Sequence, residues 1–544
     1  MKILVIGAVA AGTKAAAKLK RNLGKDAQVT ILTKSKDISY AGCGLPYYIG
    51  GIVESRAELL VNTPDSFSKL TGVEVLTGME AVKLMAAEKK VAAKNVDTGE
   101  ESVWEYDKLI IATGAAPVVP PIPGVDLEGV HVLRTPDDAD GIIAAVEAGA
   151  KRAVVIGGGY IGLEVAENLT EKGLRVSVLE MLPHIMPGFD SDFAEFAENR
   201  LADERIMVFT NTAVTGIEGE DGHVAKVLTE KKGFKADLVV LSTGIRPATS
   251  WLQDSGIEMF KGTVVVDDRM HTSLDDVYAV GDCATARNFV TQTGGWSPMG
   301  STANIVGRIC ANEVSGKAGH GYRGALGTAI VKLPGLNCAK TGLSQEAAVK
   351  AGFDAVSATL SLDSKAHFMP DSTVSIVRLT ADKNTHKLLG AQIMGGYGVD
   401  KFIDIAVTAI TLGACIEDLE DMDLAYAPPF ATAMDSFTVA VNVMMNKLCG
   451  NLVGGTLEEA GDLANWKLLD VAKEPMKDDL PYYPVQKLTQ MEALEGIPAD
   501  TPLLLLCAKG RNSYMAQVRL RDMGYQNTFV LEGGVTLYPE ILED

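Results

Sequence analysis

The chemistry in this chain concentrates in two cysteines. Cys43 sits in the run Ser39-Tyr40-Ala41-Gly42-Cys43-Gly44-Leu45-Pro46-Tyr47-Tyr48, and the next cysteine along the chain is Cys283. A thiol with no neighbour to close on must take its partner from elsewhere, either the sulfur of a substrate or an oxygen. To react it needs a depressed pKa, which a helix starting at Gly44-Leu45 would help to supply. Cys507 follows four leucines, Leu503 to Leu506, and precedes Ala508-Lys509-Gly510-Arg511-Asn512-Ser513. That pattern predicts a buried strand, a tight loop and a helix, with backbone N–H groups ringing the sulfur and favouring its thiolate. Cys283, Cys310, Cys338, Cys415 and Cys449 carry no motif and read as structural. No C-x-x-C pair suggests zinc, so no metal site is expected, and no histidine stands in a pattern that marks a general base.

Such sulfur chemistry must be positioned against nucleotides, and two glycine turns are built for that. Residues 2 to 6 read as a buried strand, Gly7-Ala8-Val9-Ala10-Ala11-Gly12 as a turn, and Thr13 to Leu23 as a helix. Gly7 and Gly12 stand where the chain must turn tightly and where helix meets strand, and the helix start would receive a pyrophosphate. Val9 occupies the place of the middle glycine. The second copy is complete: Arg152 to Ile156 leads into Gly157, Gly159 and Gly162 of a G-x-G-x-x-G turn. The next strand, Arg175 to Leu179, ends in Glu180, at the distance where an acid binds both ribose hydroxyls and repels a 2′-phosphate. That favours NADH over NADPH. Two further strands end in small turns, Ala112-Thr113-Gly114 and Ser242-Thr243-Gly244, where backbone can approach a cofactor closely.

Composition narrows the partners. The 544 residues carry a net charge of -20, with 47% hydrophobic and 22% charged residues, as in ordinary globular proteins. Nucleic acid is disfavoured, because phosphate-backbone binding needs basic surface, although a local basic patch for a small anion remains open. Seven cysteines without a framework suggest a reducing, cytoplasmic setting. No apolar run approaches the ~20 residues that span a bilayer. The apolar start imitates a signal peptide, but its grammar recurs inside the chain, so it reads as a strand and turn.

In this order the segments resemble the pyridine nucleotide-disulfide reductases, and within them the single-cysteine branch of coenzyme A-disulfide reductase, NADH oxidase and NADH peroxidase. The run from Cys43 to Gly51 and the run Leu424-Ala425-Tyr426-Ala427-Pro428-Pro429-Phe430 carry the resemblance, roughly over residues 1–446. It implies an α/β chain with two Rossmann-like dinucleotide-binding domains, one for FAD (1–118 and 250–324) and one for NAD (119–249). An α+β dimerisation domain (325–446) and a C-terminal α/β rhodanese-like domain (455–544) would follow. The resemblance further implies that Gly281 and Asp282 close the FAD site, with the Asp282 carboxylate on the ribityl chain. Tyr426 would complete the partner subunit's active site in a homodimer, beside its redox cysteine. Ser39 would lie with the substrate. The helix face of Lys14, Lys18 and Arg21 would hold the phosphates of coenzyme A, as substrate or bound thiol.

The sequence also departs from the family. The usual acid for the FAD ribose is replaced by Thr33 followed by Lys34, Gly42 replaces an asparagine, and Phe368-Met369 replaces an aromatic pair before Pro370. The tail, reached through the glycine-rich stretch Cys449 to Gly455, resembles a rhodanese sulfurtransferase at Cys507 and at Leu531-Glu532-Gly533-Gly534. There Asn512 and Ala472 stand where arginines are usual. The expectation is an NADH-dependent FAD flavoprotein that reduces coenzyme A persulfide, polysulfide or coenzyme A disulfide through Cys43, with Cys507 handling sulfane sulfur. Two rivals remain: an oxidase or peroxidase working through a Cys43 sulfenic acid, and a sulfur carrier or sensor with incidental turnover.

Overall fold

The structure is a computed structural model that describes residues 1–542. The chain divides into two compact units, residues 1–185 with 205–327, and residues 186–204 with 328–544.

The first unit holds two parallel sheets of matching design. In one, Lys2–Ile6 lies between Lys108–Ile111 and Gln28–Leu32, with Val277–Ala279 and Glu74–Leu76 outermost. In the other, Arg152–Ile156 lies between Leu238–Leu241 and Arg175–Leu179, with Val130–Val132 and Ile206–Phe209 outermost. The innermost strands are apolar and buried nearly end to end, as parallel strands covered on both faces must be. Each first strand runs into a glycine turn and a helix, Ala10–Leu23 and Tyr160–Glu171. The first helix begins at Ala10 rather than Thr13, because Ala10-Ala11-Gly12 already packs in helical conformation against the preceding turn.

The two turns repeat the same close contacts. A Cβ on Gly7 would stand 2.1 Å from the Ala112 carbonyl oxygen, and one on Gly157 would stand 2.3 Å from that of Ser242. A Cβ on Gly12 would stand 2.0 Å from the Gly7 oxygen, and one on Gly162 2.2 Å from the Gly157 oxygen. Only glycine allows strand, turn and helix to meet so tightly.

The second unit contains an antiparallel sheet in the order Ala329–Leu333, Leu336–Gly342, Leu388–Gly395, Val374–Asp382, Ala355–Asp363. Its strand Leu388–Gly395 is buried at every position. The helix Val399–Leu412 buries Val399, Phe402, Ile403, Ala406, Ala409 and Ile410, the spacing of one helical face. A smaller parallel sheet follows, in the order Gly454–Gly455, Thr528–Leu531, Leu503–Leu506, Lys467–Asp470. Gly454-Gly455, read from sequence as part of a connecting stretch, is thus an edge strand: its backbone pairs with Val530 and Leu531. No helix among the described residues is long and apolar enough to cross a membrane.

Candidate active site

Cys43 lies in a single turn of 3-10 helix, Gly42–Gly44, directly before the short helix Leu45–Gly50. It is a free thiol, exposed by surface area. The expected lowering of its pKa by a helix start is not what the geometry produces. Desolvation by the surrounding protein pushes the Cys43 thiol up; the Glu164 carboxylate adds to this, Arg134 opposes it, and Asp282 adds a further push. A six-residue helix is a weak dipole, and desolvation of the sulfur, with the nearby acids added to it, sets the direction.

Those neighbours include groups that no sequence motif marked. Arg134 donates to the Asp282 carboxylate at 3.1 Å, and Tyr40 Oη donates to the Arg134 carbonyl oxygen at 3.5 Å. Tyr47 Oη donates to Glu164 at 3.4 Å, and Tyr48 Oη to Asp140 at 2.9 Å. Arg56 gathers Asp37, Asp137 and Asp140, bracing the segment that follows Cys43. Glu164 could have been noticed as an acid two places after Gly162, in the first turns of the helix Tyr160–Glu171. Arg134 left no local signal.

A cavity of about 350 Å³ opens beside the first helix. Lys14, Arg21, Ser39, Tyr40, Phe67 and Asn304 are among its lining residues. The structure thus brings Lys14, Arg21 and Ser39 together, but Lys18 is not among the lining residues. Lys18 Nζ instead donates to Asn22 Oδ1 at 2.8 Å, and desolvation followed by Arg308, Arg21 and Lys317 lowers its pKa. The surrounding cations nevertheless make this a basic patch on a chain of net charge -20. That suits a ligand carrying several phosphates.

The nucleotide sites take shape around the glycine turns. Glu180 is only 8% exposed and accepts the Gly158 N–H at 2.7 Å and the Leu182 N–H at 2.8 Å, so its carboxylate is fixed beside the second turn. Nothing lies within 4 Å of where a Cβ on Gly159 or Gly244 would stand, which leaves room for a ligand to approach the backbone. Gly114 has φ +69°, and Arg134 would lie 3.5 Å from a Cβ there; Thr113 precedes it at the strand end. Gly281 packs under the first helix, where an added Cβ would stand 3.0 Å from Ala11 Cβ, and is followed by Asp282. Lys34 is exposed beyond the second strand, with Glu80 at 3.5 Å. Among the described residues no group of three or more His, Cys, Asp or Glu side chains could hold a metal ion.

In the second unit, Cys507 is a buried free thiol at the end of Leu503–Leu506. Its sulfur accepts the Gly510 N–H at 3.1 Å and the Ser513 N–H at 3.4 Å, forming the expected cradle at the start of the helix Arg511–Asp522. A Cβ on Gly534 would stand 2.4 Å from the Cys507 carbonyl oxygen, so the Gly533-Gly534 turn closes the loop from below. Lys509 reaches Asp363 at 2.5 Å, and buried Glu532 accepts Lys447 Nζ at 2.7 Å and the Thr359 N–H at 2.8 Å. Glu532 therefore ties this sheet to the antiparallel one. Tyr426 lies in an irregular segment and is 50% exposed, with Phe430 at 63% and Phe368 at 64% nearby in exposure. Of the cysteines read as structural, Cys283, Cys310 and Cys338 are buried, Cys415 is partly exposed and Cys449 is exposed.

Comparison with known proteins agrees with this geometry. Residues 1–301 match the pyridine nucleotide-disulphide oxidoreductase family, and residues 328–437 match the dimerisation domain of that family. An NADH oxidase of Methanocaldococcus jannaschii is 32% identical over 450 residues, covering 82% of this chain and 99% of the relative. The solved NAD-dependent persulfide reductase of A. fulgidus is 34% identical, with a TM-score of 0.93, over 99% of this chain and 100% of its own. A reduced CoADR-RHD of Bacillus anthracis is 32% identical, with a TM-score of 0.94, over 99% of this chain and 98% of its own. The oxidase relative covers 82% of this chain, whereas each of the two solved structures covers 99% of it. By sequence, by fold and by the arrangement of its glycine turns, the chain belongs to the pyridine nucleotide-disulphide oxidoreductases.

Proposed function

We propose that the protein is an NADH-dependent FAD flavoprotein that reduces coenzyme A persulfide, polysulfide or coenzyme A disulfide, with Cys43 as its redox sulfur. The observation that carries this reading is the basic cavity lined by Lys14, Arg21 and Ser39, which reaches Tyr40 on the segment that leads to Cys43. The division into an FAD domain (1–118 and 250–324), an NAD domain (119–249), a dimerisation domain (325–446) and a rhodanese-like domain (455–544) belongs to the same proposal. So do a cytoplasmic setting and a homodimer in which Tyr426 completes the partner's site; the exposed Tyr426, Phe430 and Phe368 favour a covering partner.

The residues present fit both nucleotides. Gly7, Gly12, Thr113, Gly114, Gly281 and Asp282 would hold FAD, with Thr33 in place of the usual acid and Lys34 beside it. Gly157, Gly159, Gly162, Glu180 and Gly244 would hold NADH. FAD, when bound, supplies the passage of an electron pair from NADH to sulfur. Cys43 attacks the sulfane sulfur of coenzyme A persulfide as a thiolate; a Cys43 persulfide forms and the coenzyme A thiol leaves. Two electrons and protons then free hydrogen sulfide and restore the Cys43 thiol. The sum is coenzyme A persulfide, NADH and a proton giving coenzyme A, hydrogen sulfide and NAD. Tyr426 would donate a hydrogen bond to the departing thiolate, and Cys507, cradled by two N–H groups, would receive or deliver sulfane sulfur.

The test is anaerobic NADH oxidation with coenzyme A persulfide, polysulfide and coenzyme A disulfide, set against peroxide and oxygen. Sulfur should be the preferred acceptor. Clear preference for peroxide or oxygen would establish the oxidase reading, which the Methanocaldococcus jannaschii relative favours. No turnover with any acceptor would establish the carrier reading. Cys507→Ser should harm persulfide turnover more than disulfide reduction, and equal effects would remove Cys507 from the pathway.

A further inference from the structure

The loop that carries Cys507 rests on a turn near the end of the chain. The Cys507 carbonyl oxygen accepts the Val535 N–H at 3.1 Å, and the Ala508 oxygen accepts the Thr536 N–H at 3.0 Å. Residues 533–538 thereby fix both peptides that lead the sulfur into its loop. The turn closes on itself through the Leu537 and Tyr538 N–H groups, which donate to the Gly534 oxygen at 3.1 and 3.3 Å. Tyr538 is 3% exposed, and its hydroxyl donates to Asp192 Oδ2.

Asp192 lies on the helix Ser191–Asp203, which belongs to the second compact unit although its sequence falls between two strands of the first. Its two oxygens also accept from both terminal nitrogens of Arg378, at 2.8 and 2.6 Å. Arg378 is 2% exposed and donates as well to Asp190 at 2.9 Å and to Thr359 Oγ1 at 2.7 Å. Its guanidinium carbon stands 4.7 Å from the centre of the Phe193 ring. Gln392 donates to the same Asp190 oxygen at 2.6 Å and accepts the Asp190 N–H at 2.8 Å. A planar guanidinium bound at both ends in a buried place holds its carboxylate in one orientation. Asp192 is therefore a fixed acceptor for Tyr538. Two carboxylates around one cation leave an excess negative charge away from water, and the Tyr538 and Gln392 donors stabilise it.

We propose that Tyr538 is a positioning residue for Cys507: its bond to Asp192 holds the turn in place, and the turn keeps the sulfur facing the Gly510 and Ser513 N–H groups. The proposal rests on Cys507 handling sulfane sulfur and adds the group that keeps its cradle in shape. In that chemistry the Cys507 thiolate attacks a sulfane sulfur of polysulfide. The S–S bond breaks, the shorter polysulfide leaves with the electron pair, and a Cys507 persulfide forms. An acceptor such as cyanide then attacks the outer sulfur, so that thiocyanate leaves and the Cys507 thiolate returns. The cradle holds the sulfur in both halves, so a displaced cradle slows both.

The test is single-turnover thiocyanate release from the full-length, FAD-loaded protein, loaded with inorganic polysulfide, freed of the excess and mixed with cyanide. The amplitude counts the competent molecules, and the rate constant does not depend on their number, so lost protein and a displaced cradle are read separately. Tyr538→Phe should lower the rate constant by about three- to tenfold, as expected for part of one charge-assisted hydrogen bond. Asp192→Ala should lower it at least as far, and adding Tyr538→Phe to Asp192→Ala should lower it no further, because both remove the same bond. Asp192→Asn should stay close to wild type, since an amide oxygen in place of Oδ2 still accepts from Tyr538 and Arg378. An unchanged rate constant in Tyr538→Phe, a further loss in the double variant, or a loss in Asp192→Asn as deep as in Asp192→Ala would overturn the proposal. Thiocyanate release undiminished in Cys507→Ser would instead overturn the assignment of Cys507 itself.

Discussion

Replacing Glu180 with glutamine offers a quantitative test of how the chain selects its reductant. The carboxylate is buried and held by the N–H groups of Gly158 and Leu182, so it cannot swing away from an incoming 2′-phosphate. For NADH, the substitution turns a charge-assisted hydrogen bond to a ribose hydroxyl into a neutral one, a loss of about 1 to 1.5 kcal/mol. For NADPH, it removes a carboxylate–phosphate repulsion of about 4 kcal/mol per charge pair at ~4 Å and an effective dielectric constant of ~20. The two effects add to about 5 kcal/mol, and solvent at the site mouth reduces them, so the NADH:NADPH ratio of kcat/KM should fall roughly a thousandfold. Glu180→Ala is the informative contrast. It leaves the Gly158 N–H without its acceptor, at about 1 to 3 kcal/mol, and so should weaken both cofactors. Steady-state kinetics with each nucleotide at fixed acceptor concentration gives the ratio. A ratio for Glu180→Gln within about threefold of wild type would show that Glu180 only braces its own turn and does not select the ribose.

Other outcomes follow from the same geometry. Gly12→Ala places a methyl group 2.0 Å from the Gly7 oxygen, so the purified variant should lose flavin absorbance, while Gly159→Ala, with nothing within 4 Å, should keep its fold and weaken only NADH binding. Lys447→Met leaves the Glu532 carboxylate buried without its cation and should destabilise the second unit by about 3 to 5 kcal/mol, read by denaturant unfolding. Burial already raises the Glu532 pKa. Its contribution is therefore fully present below the ordinary carboxylate range and lost as pH rises through the raised folded value, so Lys447→Met should unfold most readily at neutral pH and recover toward acid. Tyr426→Phe should slow thiol release by about ten- to a hundredfold with little change in NADH affinity, measured by single-turnover kinetics.

Much of this site was legible because its constraints are local. Gly7, Gly12, Gly157 and Gly162 are dictated by how closely one turn passes its own helix and strand, and that constraint is written in neighbouring residues. The isolation of Cys43 along the chain and the loop that cradles Cys507 are of the same kind. Glu180 was legible from its distance past a glycine turn, since strand length fixes where such an acid lands.

The rest depended on parts of the chain far apart in sequence. Spacing placed Lys14, Lys18 and Arg21 on one helix face, but the walls of the cavity, from Ser39 to Asn304, decided that Lys14 and Arg21 line it and Lys18 bonds to Asn22. A helix start suggested an easily ionised Cys43, whereas Glu164, carried by a different nucleotide fold, helps to raise its pKa. Gly454-Gly455 looked like a connection until Val530 and Leu531 paired with it. The sequence by itself thus determined where backbone must bend and which sulfurs could react. Tertiary structure decided which charges surround those sulfurs, because electrostatic energy follows distance through the folded protein and not distance along the chain.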